Sequence, residues 1–286
     1  MQNNHTLQSL QQSAVKDLTS RYSEVEAQGV SNILVEHIAG TPQYKIKESL
    51  AINIPNEHIK KISQAIEELK EMRPTQHVPR TTRFFNTPLT VNNDVLTPRS
   101  ETEELVSWII EDNEKSSNVR ILDIGTRSGI AIAIAKNLRK AHVFAWDTSE
   151  KALSIASNNA KKNGVNITFE QKDIFNTGNI QPDSFDVIVS SPLCIRPSEQ
   201  ANLKPDNLLL HKPHVAVFVP DESPLRFYIA IADMAKQALV ESGKLYFESN
   251  QILGDNVVEM LNQKGFNNSI IKKSSNSRNR VIRTQK

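Results

Sequence analysis

Apolar residues recur at helical spacing near the start of the chain. Leu7, Leu10, Ala14, Leu18, Tyr22 and Val25 predict a helix, with Gly29 as its stop. Ile59, Ile62, Ile66 and Leu69 predict another, entered through Pro55-Asn56. Between them the apolar stretch Ile33 to Ile38 runs into the breaker Gly40-Thr41-Pro42. Stripes of this kind predict a small helical bundle over residues 1–72, with the apolar faces turned into its core. From Arg73 to Arg83 the chain is basic, polar and punctuated by proline, as a linker would be. Phe84-Phe85, Leu89 to Val91 and Val95-Leu96 then alternate around Asn92-Asn93-Asp94, which predicts a hairpin joining two domains within residues 73–100.

From residue 101 to 286 strands and helices alternate. Val119–Ile124, His142–Trp146, Ile167–Glu170, Phe185–Val189 and Gly243–Glu248 read as strands. Ile130–Leu138, Ser149–Lys162, Pro224–Val240 and Val257–Gln263 read as helices, and short strands near Ser269–Lys272 and Arg280–Thr284 close the chain. This alternation predicts an α/β fold, an open and mostly parallel Rossmann-like sheet with helices on both faces.

Composition narrows the setting. Hydrophobic residues make up 38% of the chain, enough for a core, and the formal net charge of +2 selects neither for nor against nucleic acid. One cysteine, Cys194, leaves no intrachain disulfide and suits the cytoplasm. Met1 to Gln12 is polar with no apolar signal core, and no apolar run approaches the roughly 20 residues of a membrane span. A soluble cytoplasmic monomer is expected.

Ligands in an open α/β sheet sit beyond the carboxyl ends of the strands, so the residues there are the ones to read. The first such end is Asp123-Ile124-Gly125-Thr126-Arg127-Ser128-Gly129. Its glycines let the backbone approach a ligand, and the following helix N-terminus favours a negative group. Asp147 ends the next strand, where an acid can accept hydrogen bonds from ribose hydroxyls, and Asp173 follows the third, placed to meet an adenine amino group. Each acid taken singly also reads as a turn or cap residue, Asp147 before Thr148-Ser149 above all.

Other residues offer less. Cys194 at a strand end is a conceivable nucleophile or an inert thiol, with no activating histidine to assign to it. The seven histidines show no metal-binding spacing, so no metal is expected. Lys272, Lys273, Arg278, Arg280, Arg283 and Lys286 form a basic tail without an acid, either a solvated face or a weak contact for RNA.

The stretch Val95-Leu96-Thr97-Pro98-Arg99-Ser100-Glu101-Thr102-Glu103-Glu104-Leu105-Val106 resembles the signature of the release-factor glutamine methyltransferase family, the HemK-like enzymes, with two changes. Pro74-Thr75-Gln76-His77 and the run from Pro213-His214 through Ala216, Phe218 and Pro224-Leu225 to Phe227-Tyr228 are also similar to that family. The resemblance covers Arg73 to the C-terminus, more loosely the helical front. It implies a class I methyltransferase sheet with one antiparallel strand, using S-adenosylmethionine to methylate the glutamine amide in the Gly-Gly-Gln loop of a peptide-chain release factor. It further implies that Asp123, Gly125, Thr126, Arg127, Gly129, Asp147, Asp173 and Ser191 bind the cofactor. Arg99, Glu101, Glu103, Ser191, Pro192, Leu193 and Cys194 would bind the substrate, with Ser191 and Pro192 at the catalytic clamp.

The chain departs from the family where the chemistry would lie. The family's clamp is Asn-Pro-Pro-Tyr; here Ser191-Pro192-Leu193-Cys194 stands in its place. An amide nitrogen is a poor nucleophile, so its methylation depends on positioning. Losing one positioned hydrogen-bond partner costs about 2.7–4 kcal/mol of barrier. Arg127 replaces a loop glycine and either blocks the methionine moiety or pairs with its carboxylate. His211-Lys212 replaces an acidic residue, and Ser274 to Arg280 differs from the expected turn. Two alternatives follow: a pseudo-methyltransferase that binds the release factor, or a nucleic-acid amino-methyltransferase.

Overall fold

The computed structural model describes residues 6–20, 22, 24–39, 55–70, 80–91, 100–126, 129–192, 219–250, 252–273 and 279–286. The chain forms two compact units, Met1–Arg80 and Thr81–Lys286.

The first unit contains α1 (Leu7–Leu18), α2 (Glu24–Ala39) and α3 (Asn56–Lys70). Leu10, Ala14 and Leu18 pack with Ala27, Leu34, Val35, Ile62, Ala65 and Ile66 in one buried cluster. The N-terminus of α1 is closed by a reciprocal capping box between Thr6 and Ser9. The helix expected to run on to Gly29 stops at Leu18, and Gly29 lies inside α2. The Thr19 and Ser20 hydroxyls donate to the Lys16 and Asp17 carbonyls at 2.7 and 2.8 Å, competing with the helix for its last acceptors.

A hairpin follows, β1 (Arg80–Phe84) and β2 (Thr87–Val91), which from Thr81 on belongs to the second unit. Its turn is Phe85-Asn86, both left-handed with φ of 46° and 55°, the geometry of a two-residue turn that follows strand twist. The turn expected at Asn92-Asn93-Asp94 lies outside the described residues. Next comes α4 (Ser100–Asn113), which carries Ser100 to Val106 of the signature stretch and was not among the expected helices. Thr102, Leu105, Val106 and Ile109 are its buried stripe.

Then follow β3 (Arg120–Ile124), α5 (Ile130–Asn137), β4 (His142–Asp147), α6 (Glu150–Lys162), β5 (Ile167–Gln171), β6 (Phe185–Ser190), α7 (Arg226–Ala238), β7 (Leu239–Asn250), α8 (Gly254–Gln263), β8 (Asn267–Lys273) and β9 (Asn279–Gln285). The seven-stranded sheet has the order β5-β4-β3-β6-β7-β9-β8. Strands β5, β4, β3, β6 and β7 pair in parallel, and β9 runs antiparallel to both neighbours.

Side chains alternate across the sheet as the pleat requires. Leu122, Ile124 and Ile188 face a core shared with Tyr228, Ile231 and Ala235 of α7 and Leu261 of α8. Ile121, Val143 and Val187 face the other core, shared with Leu105 and Ile109 of α4, Ile130 of α5, and Phe84 and Leu89 of the hairpin. The basic tail finds partners in this unit. Arg283 Nη1 donates to Asp112 Oδ2 at 2.7 Å, and Lys286 Nζ to Asp183 at 3.3 Å and the Leu239 carbonyl at 2.5 Å. Lys272 Nζ lies 3.8 Å from the Trp108 ring centre. The acids that the tail lacks in sequence come from other elements. Among the described residues no helix is long and apolar enough to cross a membrane.

Candidate active site

Strand register brings the candidate residues to one edge. Ile124 pairs with Trp146 on one side and Ser190 on the other, and Ser190 pairs with Phe247. Gly125, Asp147, Ser191 and Glu248 are therefore the residues at or just past a common line, at the carboxyl ends of β3, β4, β6 and β7. The chain turns both ways from β3, to β4 and to β6, which makes this the crevice where open α/β sheets bind ligands.

The turn after β3 depends on its two glycines. Gly125 and Gly129 have φ of +76° and +82°, the left-handed region that strains other residues. Among the described residues, a Cβ on Gly125 would meet nothing within 4 Å. A Cβ on Gly129 would lie 2.4 Å from Leu89 Cδ1, because the hairpin packs directly on this turn. Asn159 of α6 and Asn163 just past its end hold the hairpin. Asn159 Nδ2 donates to the Thr90 carbonyl and its Oδ1 accepts from Thr90 N–H, both at 2.8 Å. Asn163 Nδ2 donates to the Pro88 carbonyl at 2.9 Å. Glu103 of the signature helix braces the other end, where its Oε1 accepts from Phe85 N–H at 2.6 Å.

Asp123 is fully buried beneath the turn, and its Oδ2 accepts from Ala131 N–H at the start of α5 at 3.1 Å. Burial pushes its carboxyl up to about 7, against the pull of the Thr126 and Ala131 hydrogen bonds and with a further push from Asp147. Asp147 is 5% exposed, and its Oδ1 accepts from Ser149 N–H at 2.9 Å. The α6 cap is Ser149 itself, whose hydroxyl accepts from Ala152 N–H at 3.2 Å. Asp173 is exposed, and its carboxylate accepts from Phe175 N–H at 2.9 Å in a tight turn.

Ser191 and Pro192, both partly buried, follow β6. Ser191 Oγ donates to Glu248 Oε2 at 2.8 Å, and Thr102 Oγ1 of α4 donates to the same oxygen at 2.7 Å. Glu101 is the second residue of that helix. Arg99, Arg127, Leu193 and Cys194 lie outside the described residues, as do Pro213-His214, His211-Lys212 and Ser274 to Arg278. Glu248 and Thr102 were not among the expected site residues. The same rule of strand ends points to Glu248, since it closes the strand Gly243–Glu248 read from the sequence.

A methyltransferase domain model matches residues 115–268. The chain is 41% identical over 273 residues to the release factor glutamine methyltransferase of Flavobacterium psychrophilum, covering 94% of this chain and 95% of that one. The chain belongs to the release factor glutamine methyltransferase family. Family members from Bacteroides thetaiotaomicron and Lactococcus lactis subsp. lactis are 38% and 36% identical, over 78% and 74% of this chain and 80% and 76% of theirs. The family's cofactor, S-adenosylmethionine, suits the donor set found here. No described residue fills the space over Gly125, a buried carboxylate lies beneath the turn, and acids stand at the ends of the next two strands.

Proposed function

We propose that the chain transfers a methyl group from S-adenosylmethionine to the side-chain amide of the glutamine in the Gly-Gly-Gln loop of a peptide-chain release factor. One observation carries this reading: 41% identity held over 94% of the chain to an enzyme named for that reaction. When bound, the cofactor supplies a methyl group made electrophilic by its sulfonium.

The chain's own residues then work by position. The turn Gly125-Thr126-Arg127-Ser128-Gly129 takes the cofactor, with Asp147 accepting from its ribose hydroxyls and Asp173 meeting its adenine edge. Asp123 braces the turn through Ala131 rather than facing solvent. Ser191 and Pro192 receive the target amide, with Leu193, Cys194, Arg99, Glu101 and Glu103 around it. Holding the nitrogen in line with the methyl group makes up for its delocalised lone pair. Residues 1–72 dock the release factor, and the chain acts as a cytoplasmic monomer. A protein substrate also agrees with the tail, where Arg283 and Lys286 pair with Asp112 and Asp183 rather than standing ready for phosphate.

The test is transfer of radiolabelled methyl to a purified bacterial release factor, run beside a factor whose Gly-Gly-Gln glutamine is alanine. Label on the first and none on the second is expected. Tight cofactor binding by calorimetry without transfer to either would leave a binding protein in place of an enzyme.

A further inference from the structure

The serine at the clamp position has a partner of its own. Ser191 Oγ donates to Glu248 Oε2 at 2.8 Å, and that oxygen also takes the Thr102 hydroxyl at 2.7 Å. Glu248 is 4% exposed and Thr102 2%, so the junction is shielded from water. The carboxylate's backbone is anchored as well, because the buried Tyr228 hydroxyl donates to the Glu248 carbonyl at 3.2 Å. A serine hydroxyl has one proton and two lone pairs. With the proton committed to Glu248, only the lone pairs are left to meet a ligand.

We infer that Glu248 is a positioning residue that presents Ser191 to the target amide as a hydrogen-bond acceptor alone. The serine–glutamate pair then does what the carbonyl oxygen of a carboxamide does unaided. This rests on the glutamine-methylating function and names how its clamp works without asparagine. An acceptor is what the target requires at this point, since the amide NH2 offers two donors and must be turned to aim its nitrogen. A hydroxyl left to rotate would divide its time between donating and accepting, and the aim would be lost. Glu248 removes that freedom before the substrate arrives.

The test compares two peptides spanning the Gly-Gly-Gln loop, one with the glutamine and one with alanine there. Their binding to the full chain is measured by calorimetry with S-adenosylhomocysteine present. The native chain prefers the glutamine peptide roughly tenfold, the worth of one good hydrogen bond. Glu248→Gln, whose amide can donate to Ser191 and reverse its hydroxyl, loses the preference, and so does Ser191→Ala. Adding Ser191→Asn to Glu248→Gln restores it, because a carboxamide carries its own acceptor. In transfer assays kcat follows the same order, and KM for the cofactor stays level in Glu248→Gln.

Equal losses from Glu248→Gln in the serine and asparagine backgrounds would make Glu248 a structural residue only and overturn the inference. So would a Glu248→Gln chain that keeps the preference. Should Glu248→Gln fail to fold by circular dichroism, a Ser191→Ala chain that still discriminates the peptides also overturns it. Native chain that methylates the release factor but does not discriminate the peptides refutes this inference and leaves the function standing. Native chain that discriminates them without transferring methyl does the reverse.

Discussion

The two halves of the sheet's carboxyl edge are held together by different means. On the β3–β5 side the main chain does most of the holding. Gly125 and Gly129 sit at left-handed φ, Gly125 N–H donates to the Trp146 carbonyl at 2.8 Å, and Leu89 fills the space a side chain on Gly129 would need. On the β6–β7 side the holding is done by side chains, with Ser191 and Thr102 meeting on Glu248. Backbone geometry admits few residue types, whereas a side-chain junction can be rewired by changing one partner. A change at Ser191 therefore rewires one junction and leaves the fold beneath it in place.

The largest effect expected in the main-chain half is a pH dependence. Burial pushes the Asp123 carboxyl up to about 7 in the fold, from an ordinary aspartate value of 3.8, so between the two the folded chain holds a proton that the unfolded chain has released. Its stabilising contribution is whole below about pH 4 and lost as pH rises to about 7, roughly 4 kcal/mol across the window at 1.36 kcal/mol per unit. Asp123→Asn should flatten the urea-unfolding stability of the cofactor-free protein over that window and leave the pH dependence elsewhere unchanged. An unchanged slope between pH 4 and 7 would show that Asp123 is ionised in the fold.

Gly129→Ala comes next, at about 3 kcal/mol of stability, combining left-handed strain with overpacking against Leu89. Gly125→Ala carries the strain without the clash and should cost about 1 kcal/mol. Equal costs in parallel urea titrations would mean the hairpin yields, and the main-chain half is softer than its geometry indicates. Asn159→Ala leaves the Thr90 N–H and carbonyl without their partner and should cost about 2 kcal/mol, read as a lower unfolding midpoint.

The side-chain half gives the smallest change. Thr102→Val keeps the shape and removes one of the two hydroxyls on Glu248, for about 1 kcal/mol. A loss as large as that of Gly129→Ala would erase the contrast between the halves.

Much of the fold was legible because its signals are local. Five parallel strands and the helices between them follow from apolar runs and from periods of 2 and 3.6, and the observed ends fall close to those expected. Where the reading erred, a local rule met a stronger competitor. Gly29 was taken as a stop but lies within α2, while Thr19 and Ser20 end the first helix through their hydroxyls. The turn at Phe85-Asn86 went unread, because a bulky Phe85 at left-handed φ is not a residue that local turn rules name. The basic tail read as lacking an acid because Asp112 is 171 residues from Arg283.

The sequence by itself determined that the chain is an α/β methyltransferase of this family. It also determined that Asp123, Asp147 and the glycines Gly125 and Gly129 come at the ends of successive strands. Such features depend on near neighbours, on periodicity and on the φ that glycine permits. Tertiary structure alone decided what each polar group would face. Ser191 meets Glu248 across 57 residues, Thr102 meets it across 146, and Asn159 reaches Thr90 across 69. Only the packing of α4, the register of β6 on β7 and the seating of β2 on α6 close those distances, and a hydrogen bond reports its partner only once both groups are held within about 3 Å.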